Sequence, residues 1–273
     1  MADQGAVAGT VGIYRRVLAA QMRSQVTYRA SFLMSVTISG VFAALDLVVV
    51  LVLFGVARSM GGFGTAEVLV MFGLSSTAFA AADLAVGNLE RLQFYVRSGL
   101  LDGVLLRPLS AFGQLVVVDF TPRRAGRVIV AVVILVVALA RADITWTPAT
   151  AVLAVVAPLA GAVMFSAVMV ATATVAFWWI DSGELAFSLT NGGRDFTSYP
   201  INIYGAAMRR LFAYGLGFAF VAYYPALALL DRADPLGLPG WFGWVSPAVA
   251  AVAVAGAALS WRLGIRHYRS TGS

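Results

Sequence analysis

The sequence contains no cysteine, no lysine and a single histidine among 273 residues, and only 12% of its positions are charged. Each shortage removes a class of chemistry. Without cysteine there are no disulfides, thiolate metal sites or cysteine nucleophiles. Without lysine there is no Walker A motif, whose lysine contacts the nucleotide phosphates, so the chain is not itself a P-loop ATPase. The one histidine, His267, lies in the tail RHYRSTGS, where a solvated residue is a simpler reading than a ligand or base. A His/Cys metal cluster and a histidine-dependent triad are therefore excluded. The two carboxylates of DSGE (181–184) sit at a helix exit and read as a cap with solvated charges. No enzyme is legible.

The shortage of charge also points to the solvent. A soluble domain carries about 25% charged residues, whereas 60% of this chain is hydrophobic. Lipid fits such a surface. The apolar runs recur along the whole length, unlike a secretory leader followed by a soluble domain, and residues 1–29 lack an apolar signal core, so no cleavage is expected. The net charge of +6 comes entirely from arginine. In a soluble protein that excess would point to nucleic acid; here it reads as a topology signal, and no nucleic-acid partner is expected.

Six segments approach the roughly 20 apolar residues that a membrane-crossing helix needs: approximately 31–57, 66–87, 125–141, 149–180, 211–230 and 244–263. Pro158 is a candidate kink in the fourth. With a cytoplasmic N-terminus, sixteen of the nineteen arginines fall on inner segments, leaving Arg58, Arg141 and Arg232 outside. That bias follows the positive-inside rule and puts both termini in the cytoplasm. The outer loops are short and carry Trp146, Trp241 and Trp244, suited to the interfacial aromatic belt. The inner loops, 88–124 and 181–210, are longer, which favours a cytoplasmic partner. Residues 11–29 suit an amphipathic helix lying on the inner leaflet, or a solvated leader. Segment 196–210, opened by Tyr199 and Pro200, reads as a second cytoplasmic amphipathic piece.

Asp46 and Asp83 fall within the first two spans. A charge at mid-bilayer costs roughly 2.5–3.5 kcal/mol, so such residues face protein or a watery path. Two readings stand for each: a polar point on a substrate path, or a helix-packing contact. Gly73, Thr77, Ala81 and Ala85 form a stripe of small residues along the second span, which permits close helix approach.

The stretch YVRSGLLDGVLLRPLSAFGQL (95–115) breaks the apolar pattern. Ser98 reads as an N-cap and Pro108 as a stop, enclosing a short helix over 98–107. Leu101, Val104 and Leu105 share one face, with Leu100 beside them, while Asp102 and Arg107 lie off it. Too short to span and too apolar to stay bare, it either rests on the inner leaflet or docks on a cytoplasmic protein.

Three motifs together resemble one family, the bacterial ABC-2 type permeases of ABC transporters. VRSGLLDGVLLRPLS is similar to that family's segment between spans two and three. SYPINIYGAAMRRLFAYGLGFAFVAYYPALALL (198–230) resembles its tyrosine-proline stretch, and WRLGIRHYRSTGS (261–273) its C-terminus. The resemblance implies an all-α polytopic fold with six transmembrane helices, of the type V exporter kind, in a bacterial cytoplasmic membrane. It implies a non-catalytic efflux subunit for small hydrophobic or amphipathic substrates such as drugs, natural products or lipids. It also implies two copies of a separate ABC ATPase that carry the ATP and magnesium, with no cofactor in this chain. The second permease would be a related but different chain, or a second copy. On this reading 98–107 is the coupling helix. Leu101, Val104 and Leu105 would anchor in the ATPase cleft, Arg97, Asp102 and Arg107 would form a polar rim, and Gly99 and Pro108 would set the ends. A proton-coupled carrier using Asp46 and a non-transporting membrane scaffold remain the competing readings.

Overall fold

A computed structural model describes residues 29–57, 59–118 and 120–268, with Gly12, Arg16, Ala19, Ala20, Met22 and Arg23 of the N-terminal segment. The proposed amphipathic helix over 11–29 and the last five residues of the C-terminal motif lie outside the described residues, apart from those few positions. No strand occurs among the described residues. The long elements are α1 (Arg29–Val56), α2 (Thr65–Val86), α6 (Ala125–Arg141), α7 (Pro148–Thr174) and α11 (Ser246–His267). Between α2 and α6 come a 3-10 turn (Gly87–Arg91) and three short helices: α3 (Leu92–Arg97), α4 (Leu100–Leu105) and α5 (Ala111–Val118). Between α7 and α11 lie α8 (Gly183–Thr197), α9 (Ala206–Met208, running into a π-helical turn to Gly215) and α10 (Tyr223–Leu229).

Local chemistry sets the helix starts. Thr147 and Thr150 exchange hydrogen bonds, the Thr150 N–H to Thr147 Oγ1 at 3.2 Å and the Thr147 N–H to Thr150 Oγ1 at 2.8 Å. Together they satisfy donors at the start of α7, with Pro148 at its first position. At the start of α2 the Glu67 carboxylate accepts from the Gly64 N–H at 2.6 Å. Once started, four helices among the described residues are long and apolar enough to cross a membrane: Phe32–Val56, Thr65–Arg97, Pro148–Phe177 and Ser246–His267. The third of these runs through Pro158.

α2 and α7 form the centre, with α6 and α1 stacked on one side and α11 on the other. The α1–α6–α2 contacts are backbone-close. A Cβ at Gly126 would collide with the Val36 carbonyl oxygen, and one at Gly73 would fall 2.8 Å from Leu135 Cα. Small residues are what let apolar helices pack without a hydrophobic drive.

The bundle has two unlike ends. One carries Arg91, Arg97, Arg123 and Arg124 and receives the start of α1 and the end of α11, since Val36 meets Gly126 and Gly264 meets Phe177. The other carries Gly61, Gly62, Glu67 and Arg232. Arg232 bonds to Glu67 and to the Gly62 carbonyl, and lies over the Phe63 ring at 4.1 Å.

Here the structure departs from the sequence reading. Segment 211–230, expected as a fifth span, is broken by 68° between Ala206–Gly215 and Phe218–Leu229. The left-handed Gly217 (φ 74°) makes the turn, wedged against Met164 and Val249. Both arms return to the same end: Asn202, before the first, donates to the Gly61 carbonyl at 2.6 Å, and Arg232, after the second, bonds to Gly62. The segment is a hairpin that dips into the bundle and comes back. Segment 196–210 is likewise displaced from the arginine-rich end. α8 climbs from Gly183, against Gln93 at that end, past Gly193, against Phe218 at the hairpin tip, to Asn202 at the other.

Candidate functional site

Climbing through the bundle, α8 brings polar side chains to the middle. Arg194 donates to Asp46 Oδ2 of α1 at 2.8 Å and stacks over the Phe79 ring of α2 at 5.4 Å. Its neighbour Asp195 lies 3.6 Å from Arg194 Nε. One turn further, Thr197 and Ser198 meet the fully buried Ser75 hydroxyl at 2.6 and 3.4 Å. Nearer the arginine-rich end, Asp83 receives two arginines from the entry to α6: Arg124 at 2.6 Å and Arg127 at 3.0 Å. Arg124 also donates to the Asp83 carbonyl at 3.0 Å and to Glu90 at 2.7 Å.

Both acidic residues singled out in the sequence are therefore paired. Asp46 and Asp83 each tie helices together, and Asp83, unlike Asp46, also lines a cavity. That cavity, of about 580 Å³, lies between α2, α6, α7 and α8. Phe79 lines its inner reach and Gln93, Ser182 and Glu184 its rim at the arginine-rich end; Met169 and Phe187 give it an apolar wall opposite Arg124 and Arg127. A chamber with one charged and one apolar wall suits an amphipathic guest.

The segment 98–107 sits at the same end, turned differently from the sequence reading. Its helix α4 is shorter. Gly99, left-handed at φ 72°, is the residue before it, and Ser98 caps nothing there: its hydroxyl donates back to the Phe94 carbonyl at 2.7 Å. Leu101 is fully buried and Val104 nearly so, in a cluster with Leu89, Leu92, Val96, Leu115 and Phe177. Leu101 and Val104, two of the three residues expected to dock outward, instead hold the segment to its own chain. The apolar residues left exposed are Leu100, Leu105 and Leu106, the last 86% exposed, with Phe94 close in sequence. Arg107 and Pro108 are exposed beside them, and Arg97 pairs with Asp181 at the surface, at 2.9 Å.

Two fasteners that sequence reasoning missed fix this segment. The buried Gln114 side chain of α5 donates to the Val104 and Leu109 carbonyls at 3.0 and 3.2 Å. Tyr268, just past α11, donates its hydroxyl to Asp102 Oδ1 at 3.0 Å and packs on Phe177. Its phenol is pushed up to about 12 by burial and then by the Asp102 hydrogen bond. Since that value lies above the ordinary 10, the folded chain favours the neutral phenol. The clasp is intact below pH 10 and is lost as pH rises through about 12. Tyr268→Phe removes one hydrogen bond, worth about 1 kcal/mol. Amides of residues 100–105 should then exchange with deuterium about fivefold faster; unchanged exchange would mean the clasp holds nothing.

Arg194 was the other omission. In sequence it stands in NGGRDFTSYP, too polar for a hydropathy window. The signal that could have found it is Gly193 beside it, which lets α8 approach Phe218.

No curated protein and no solved structure matches the chain. A scan against protein families matches residues 41–272 to the family described as ABC-2 family transporter protein. That match takes in the second part of α1 and every element from α2 to α11, with the paired charges and the exposed leucines they carry, and the chain belongs to the ABC-2 transporter family.

Proposed function

We propose that this chain is the permease subunit of an ATP-driven exporter for small hydrophobic or amphipathic molecules. Its family is one of multi-pass membrane transport subunits that normally work with an ABC ATPase. The carrying observation is the 86% exposed Leu106, with Leu100 and Leu105 partly exposed, on a segment whose Leu101 and Val104 are locked into the core. An apolar knob in water asks for a partner, and a rigid mounting lets the partner's motion reach the bundle. The mounting runs from Leu101 to Phe177 at the end of α7, and from Asp102 to Tyr268 at the end of α11.

In this scheme α1, α2, α6, α7, α8 and α11 make six crossings, and the hairpin 206–229 re-enters from outside. Moving Arg209 and Arg210 to the outer side and Arg194 to the middle still leaves thirteen arginines inside against five outside, which supports cytoplasmic termini. The membrane is the bacterial cytoplasmic one. Two copies of a separate ATPase bind ATP and magnesium; a second, related permease chain completes the pore, with a second copy of this chain as the alternative. The cavity below Phe79 is the inward-facing vestibule. A proton-coupled carrier would be built around Asp46, and the 2.8 Å ion pair with Arg194 gives that carboxylate a helix-joining role instead.

The test separates docking from folding. Leu106→Asp should leave the chain's thermal stability in detergent unchanged while reducing recovery of the co-expressed ATPase at least tenfold, as loss of a central apolar anchor does. Leu101→Ala should instead destabilise the chain by about 2–5 kcal/mol through the cavity it leaves. If Leu106→Asp retains full ATPase recovery and substrate-stimulated hydrolysis in liposomes, the knob is not the docking surface.

A further inference from the structure

The stripe of small residues on α2 divides in the structure. Gly73 is covered by Leu135, but Ala81 and Ala85 line an open groove of about 640 Å³ between α2, α7 and α11. Its walls are almost wholly apolar, including Ala162, Val170 and Ala258. At the arginine-rich end the groove changes character. Ser110, Trp261 and Arg262 form its mouth, with Trp261 braced edge-on by Phe112 and Phe177 at 5.3 and 5.6 Å. Arg262 is the one charged residue in the lining and, among the described residues, has no carboxylate partner.

An apolar slot ending in an aromatic ring and a guanidinium that has no carboxylate partner among the described residues matches one kind of membrane molecule. We propose that the groove holds an acyl chain of an anionic phospholipid whose phosphate sits on Arg262. Tryptophan belongs at the headgroup level, and basic pockets between membrane helices retain anionic headgroups. The volume is that of a single small-ligand site. The proposal requires only that the chain lies in a membrane and is independent of the exporter scheme.

The experiment is native mass spectrometry of the full chain purified in detergent, titrated with phosphatidylglycerol or phosphatidylcholine of identical acyl chains. The wild type should retain one phosphatidylglycerol in preference to phosphatidylcholine. Arg262→Gln should reduce that preference about fivefold, as loss of one basic charge near an anionic headgroup does, and Arg262→Lys should keep most of it. Ala162→Phe, or Ala258→Phe from the opposite wall, should block retention of both lipids without altering Leu106-dependent ATPase recovery. An unchanged preference in Arg262→Gln would reduce the lipid to ordinary boundary lipid and overturn the proposal. So would full phosphatidylglycerol retention in both phenylalanine variants, or a change in oligomeric state with lipid retention intact, which would make the groove a protein contact.

Discussion

Asp83→Ala should destabilise the chain by about 3–5 kcal/mol, the cost of removing one partner from a buried ion pair. The carboxylate is only 12% exposed and holds two arginines from the entry to α6, so its loss strands Arg127 and leaves Arg124 only Glu90 and the backbone carbonyl of residue 83. Asp83→Asn, which keeps an acceptor oxygen and the shape, should lose less. Arg124→Lys should not substitute for arginine, because Arg124 spans the Asp83 carboxylate, the Asp83 carbonyl and Glu90 with its two terminal nitrogens. A single ammonium lacks that fork. Unfolding of the purified chain in detergent, by heat or by denaturant, measures this directly. A change within about 0.5 kcal/mol, the range of surface substitutions, would mean that the cluster is decorative.

Arg194→Ala and Asp46→Ala should each cost roughly 2.5–3.5 kcal/mol, the penalty of an uncompensated charge at membrane depth. The double variant should cost less than the sum of the two. Removing both members leaves no stranded charge, and residues in direct contact are not additive. Arg194 carries the larger share of the architecture: it also covers Phe79 at the inner reach of the cavity, and it stands one turn before the Ser75–Thr197–Ser198 cluster. Its single variant should therefore also weaken transport in reconstituted vesicles more than Asp46→Ala. Additive losses in the double variant would show that the 2.8 Å contact couples nothing.

The contrast between Asp46 and Arg194 also shows what a sequence can reveal. A carboxylate inside an apolar run such as AALDLVVV is conspicuous, because everything around it is made for lipid. Its partner stands in the polar stretch of α8, where composition alone reads as a loop. The error over 211–230 has the same origin. Its Phe-, Tyr- and Leu-rich residues pass as a span by hydropathy, and hydropathy does not register the 68° break at the left-handed Gly217. The remaining apolar segments coincide with long helices because their signal is length and composition. In 98–107 the periodic face was legible, but periodicity states only that Leu101 and Val104 belong on one side. Whether that side meets another protein or its own chain depends on Phe177 and Leu115, distant in sequence.

The cluster of Asp83, Glu90, Arg124 and Arg127 holds two charges of each sign. A unit charge carried across 100 mV of membrane potential exchanges about 2.3 kcal/mol with the field, but a neutral group carried as one body exchanges nothing. If α2 and the entry to α6 shift together during transport, this part of the protein does so at no electrical cost, and an energised membrane neither drives nor resists it. Neutralising Glu90 alone would leave the same body with one uncompensated positive charge, and its movement would then become sensitive to voltage.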